Sequence, residues 1–111
     1  MAFIIKEGDT SPALLLQMQD SEQNPVNISG SSVQLIAVDE ETGETVITED
    51  TTGNLEIVDA INGIVKYPWK SADTENARTL LYEFEVEYTD GAVETFPNDS
   101  YNVIEIIKDL N

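Results

Sequence analysis

Carboxylates are the side chains in this sequence best placed to do chemistry. Glu83, Glu85 and Glu87 alternate along one segment. If that segment is a strand, they stand on one face, about 7 Å apart. Paired carboxyl groups are the equipment of glycoside hydrolysis, which also needs a concave cleft to hold the sugar. The aromatics that would line such a cleft, Tyr82, Phe84 and Tyr88, fall on the opposite parity, toward a core. The three glutamates therefore read as a solvated sheet face, and no catalytic residue is assigned. A second acidic group, Asp39, Glu40, Glu41 and Glu44, with Glu49 and Asp50 beyond it, could supply some of the roughly six to eight oxygens that calcium takes. The alternating ligands of an EF-hand loop are missing, so a plain acidic loop is the stronger reading and no metal site is assigned.

Histidine and cysteine are both absent. That removes the commonest general base, the Ser–His and Cys–His nucleophile systems, thiolate metal sites and disulfides. The glycines Gly8, Gly30, Gly43, Gly53, Gly63 and Gly91 lie too far apart to form a phosphate-cradling loop. The chain reads as a non-enzyme that calls for no cofactor. Its 22 acidic residues outnumber 5 basic ones, for a net charge of −17. The bases, Lys6, Lys66, Lys70, Arg78 and Lys108, are scattered, so the surface should repel nucleic-acid phosphates and anionic membranes alike. The same charge favours solubility in a component held at high local concentration. The first residues lack the basic lead and long apolar run of a signal peptide. No stretch approaches the ~20 apolar residues of a transmembrane helix. Synthesis as a soluble chain in the cytoplasm is expected.

The elements that must position these side chains are strands. Leu81 to Tyr88 alternates strictly, and Asp90-Gly91 after it is a hairpin turn whose central residues tolerate positive φ. Ala92 to Phe96 should return antiparallel. Asn62-Gly63 is a second hairpin signal leading into Ile64 to Trp69, where Val65, Tyr67 and Trp69 share a face and Pro68 marks an edge or an end. Phe3 to Lys6, Ala13 to Gln19, Ser32 to Val38, Glu44 to Thr48, Leu55 to Asp59 and Tyr101 to Lys108 read as further strands. Ser71 to Thr79 reads as a short helical turn or crossover. About seven to eight strands in 111 residues predict one domain, residues 1–111, folded as an all-β, antiparallel, immunoglobulin-like sandwich. Trp69 and the tyrosines read as core anchors before they read as a ligand platform.

Several segments, in order, resemble the N-terminal domain family of phage baseplate upper proteins. They are Gly8-Asp9-Thr10 with Pro12, then Asn24-Pro25-Val26-Asn27-Ile28-Ser29-Gly30 running into Ser32-Val33-Gln34-Leu35. Gly63-Ile64-Val65-Lys66-Tyr67-Pro68-Trp69 follows, and then Tyr82 to Tyr88 with Asp90-Gly91 and Val93-Glu94-Thr95-Phe96-Pro97. The resemblance covers most of the chain. It implies a β-sandwich of the tail or baseplate, a virion location after synthesis in the host bacterial cytoplasm, and other phage structural proteins as partners.

If the chain works by surface complementarity, the candidate contacts are Phe3 and Ile5 on the first strand, the outward Glu83, Glu85 and Glu87, and Ile104 and Ile106 on the last. Ile104 and Ile106 face opposite to Val103 and Ile107. One reading is a central strand buried on both faces. The other is an apolar patch left for a partner or for a second copy in a homo-oligomer. The rival function is an adhesin-like module that binds carbohydrate or a cell-surface polymer with the help of calcium. It requires exposed aromatics in a groove.

Overall fold

Period-two alternation calls for strands, and in a computed structural model of the chain they are nearly all of its regular secondary structure. The structure describes residues 2–98 and 100–110. The strands are β1 (Ala2–Lys6), β2 (Leu14–Gln17), β3 (Ser32–Asp39), β4 (Thr45–Asp50), β5 (Glu56–Asp59), β6 (Ile64–Tyr67), β7 (Arg78–Glu87), β8 (Val93–Phe96) and β9 (Asn102–Ile107). A 3-10 turn, Ser71–Thr74, sits in the polar stretch before β7. Among the described residues no helix is long and apolar enough to cross a membrane.

The chain crosses repeatedly between two sheets. The larger has the order β1-β9-β7-β3-β4, with β8 also paired to β7; the smaller has the order β2-β6-β5. Packed face to face they form the immunoglobulin-like sandwich that the alternation predicts. Among the described residues there are nine strands, against the seven to eight expected, and each falls on a segment already read as a strand. The return from β7 is shared by two of them. β8 pairs with one half of β7, from Glu87↔Val93 to Phe84↔Phe96, and β9 with the other, from Tyr82↔Asn102 to Arg78↔Ile106. Pro97 has no N–H for the ladder, so the strand leaves the sheet there and rejoins at Asn102. In addition β1 lies parallel to β9, the exception among otherwise antiparallel pairs.

The core lies between the sheets. Leu80, Tyr82, Phe84 and Val86 on β7 and Val33, Leu35 and Ala37 on β3 are buried, and Leu14, Val65 and Tyr67 come from the facing sheet. Both hairpin signals are used, in one common form. The Gly63 N–H donates to the Ala60 carbonyl and the Gly91 N–H to the Tyr88 carbonyl. The positive φ falls on the glycines, +67° and +89°, and not on the preceding Asn62 or Asp90. These are four-residue turns closed by a glycine bulge, a variant that needs one left-handed residue where the two-residue hairpin turn needs two.

The crossover from β6 to β7 is pinned by a buried acid. Asp73 Oδ2 accepts the Tyr67 hydroxyl at 2.6 Å and the Lys70 N–H at 2.9 Å. Burial, and then the adjoining carboxylate, push the Tyr67 hydroxyl pKa well above its ordinary value, so it remains a donor. Trp69 Nε1 donates to the Pro12 carbonyl at 2.9 Å, tying the same crossover to the chain ahead of β2. A Tyr67→Phe substitution leaves the Asp73 carboxylate one donor short in a buried place. It should cost about 1–3 kcal/mol, read as a lower urea midpoint at unchanged slope.

Candidate protein interface

The outer face of the larger sheet is built by register. Leu81 on β7 stands opposite Val38 on β3 and Val103 on β9, and Val103 stands opposite Ala2 on β1. Neighbouring strands lie about 4.8 Å apart, so Val38, Leu81 and Val103 make a continuous apolar row across three strands. Ile36 lies opposite Glu83 on one side of that row, and Ile4 lies opposite Glu105 on the other. Tyr101 borders a shallow hollow beside Glu83. The row itself is half-buried by its neighbours, whereas Ile4 and Tyr101 are 56% and 63% exposed.

The sequence-derived candidates divide on this map. Glu83, Glu85 and Glu87 line the outer face of β7 as expected, with Glu87 the most open. Phe3, Ile5, Ile104 and Ile106 point the other way. Ile5, Ile104 and Ile106 are buried in the core. The Phe3 ring is half-buried, 5.6 Å from the Trp69 ring. The reason is positional. β9 is an interior strand between β1 and β7, and pairing of Ile104 with Leu80 directs both side chains inward. The parallel register then turns Phe3 and Ile5 inward with Ile104 and Ile106. The apolar side chains that β1 and β9 present outward are Ile4, Val103 and Ile107. The signal that could have found them was a charge on the same parity: Glu105 between Val103 and Ile107, and Lys6 beside Ile4.

The other candidate chemistries look different in three dimensions. In the acidic loop, Asp39 Oδ1 accepts the N–H groups of Glu41 and Thr42 at 2.8 and 3.2 Å, and Oδ2 lies 3.5 Å from Arg78. The Thr42 N–H bond is the leading cause that holds the Asp39 pKa below its ordinary value. Desolvation opposes it, and the Glu41 and Arg78 contacts assist. Glu49 Oε2 pairs with Lys70 at 2.8 Å while Oε1 accepts the Asn54 N–H at 3.0 Å. These carboxylates cap turns and balance bases. Among the described residues no three His, Cys, Asp or Glu side chains converge to hold a metal ion. Trp69 is 5% exposed and stacks edge-on with Tyr67 at 5.5 Å, so it anchors the core and forms no open platform. A groove of about 560 Å³ opens at one end of the sandwich, beside Leu16, Met18, Phe96 and Asn102. Its carboxylate, Asp20, accepts the N–H groups of Glu22 and Asn24 through Oδ1, each at 2.9 Å.

No family model matches this sequence, and no curated protein is significantly similar to it. Solved structures do resemble its fold. The N-terminal domain of phage TP901-1 ORF48 is similar with a TM-score of 0.60 and 15% identity, over 98% of this chain and 85% of that one. CopC from Methylosinus trichosporium OB3b is similar with a TM-score of 0.52 and 12% identity, over 99% of this chain and 87% of that one. Likeness at such identities is a likeness of fold.

Proposed function

We propose that this chain is a non-enzymatic structural protein of a phage or prophage tail or baseplate, acting through protein–protein contacts in the assembled particle. The observation that carries this reading is the shared sandwich with a phage protein's N-terminal domain across 98% of the chain. The ordered segments that resemble baseplate upper proteins point the same way. So does an outer sheet face with an apolar row that the domain itself leaves half-covered. In this reading the partners are other virion proteins and further copies of the chain, and many weak contacts add in a repeating array. The charge of −17 keeps unassembled copies apart. Immunogold labelling of purified particles with an antibody to this chain should decorate the tail or its distal end. Gold on the head, or on free protein alone, would contradict the assignment.

A further inference from the structure

We infer that the outer face of the larger sheet docks a different polypeptide, one with an apolar centre and a rim of lysine or arginine. The inference deepens the structural-protein reading above and rests on it. The row Val38, Leu81 and Val103 is placed by register on three adjacent strands, and exposed Ile4, beside Glu105, and Tyr101, beside Glu83, border it on opposite sides. Such a row gains by being covered. Its frame selects the cover. Glu83 and Glu105 flank the row directly, Glu85 and Glu87 continue along β7, and Lys6 is the base that β1 adds to that face. A second copy laid on this face would set glutamates against glutamates in a chain that already carries −17, and like charges brought together reject a partner. Nucleic acid and anionic lipid fail for the same reason. A basic rim around an apolar centre satisfies both features. It also neutralises the repulsion that otherwise opposes crowding copies of this chain into one particle.

The test places a photo-crosslinking phenylalanine analogue at Tyr101, a near-isosteric change at an exposed aromatic. A control places it at Leu15, 60% exposed on the other sheet. Both are carried through particle assembly. The expected result is an adduct from position 101 to one other chain richer in Lys and Arg than in Asp and Glu, with none from position 15. Glu83→Lys, a change on the solvated face that should leave the fold intact, should lower that adduct by about tenfold, and Leu81→Asp should abolish it. An adduct between two copies, an adduct to an acidic chain, or no adduct from position 101 in particles that contain the protein would overturn the inference. Particles that lack the protein would remove the structural-protein reading itself, and this inference with it.

Discussion

A Gly63→Ala variant should lose about 3–5 kcal/mol of stability, a large share of the ~5–15 kcal/mol typical of a domain. Gly63 closes the β5–β6 hairpin at φ +67°. An alanine held there pays roughly 1–2 kcal/mol for the left-handed backbone alone. The larger part is contact. A Cβ on Gly63 would lie 2.5 Å from the Val26 carbonyl oxygen and 3.0 Å from that of Met18. The segments that carry these oxygens are tied to each other and to the hairpin. Met18 O accepts the Val26 N–H at 3.0 Å, and the Met18 N–H donates to Gly63 O at 2.8 Å, so three backbone segments meet at the glycine. Gly43 supplies the control: its φ is +74°, with nothing within 4 Å of a built Cβ. Gly43→Ala should cost only about 1–2 kcal/mol, the backbone share. Urea unfolding of the two variants separates conformation from crowding, and equal midpoints would refute the crowding argument.

Phe84→Ala should cost a further class of energy, the cavity left in a close-packed core, at about 3–5 kcal/mol. Phe84 is 1% exposed at the middle of β7. Its cross-strand neighbours are Leu35 on β3 and Phe96 on β8, both buried, and the Tyr82 ring meets it edge-on at 6.0 Å. Removing the ring empties the place where three strands of the larger sheet converge. Glu85 is the next residue and faces the other side of the same sheet, so Glu85→Ala should stay within about 0.5 kcal/mol of the parent. The pair measures the sidedness of β7 at adjacent positions. A thermal or urea series in which the two variants lose comparable stability would contradict it.

How much of this was legible depended on whether a segment carried its own parity signal. β7 did, because glutamates and large apolar residues alternate without interruption over Tyr82 to Glu87. Its inner and outer faces follow from period two alone. The hairpins did as well, since Asp90-Gly91 and Asn62-Gly63 name their turns, although the bulged form of those turns is set by the pairing on either side. β1 and β9 are short and apolar on both parities, with a single charge each, Lys6 and Glu105, to mark the outer one. Their facing is decided by neighbours distant in sequence, Leu80 for Ile104 and then Ile104 for Phe3. A one-residue change of register reverses every side chain. That is why the sequence alone points to Phe3, Ile5, Ile104 and Ile106 as surface contacts, whereas the fold presents Ile4 and Val103. The outer row itself could not be read along the chain, because Val38, Leu81 and Val103 become neighbours only across strands. Asp73 was hidden for a similar reason. It sits in a polar stretch, and its burial comes from Tyr67 and the Lys70 backbone closing over it.

The central claim, that the chain is built into a phage particle, is tested most directly by quantitative mass spectrometry of particles induced from the source organism and purified to homogeneity. The account predicts peptides from this chain at many copies per particle, in fixed ratio to the other structural proteins. Intact particles without those peptides, from a lysate in which the protein is abundant, would contradict it.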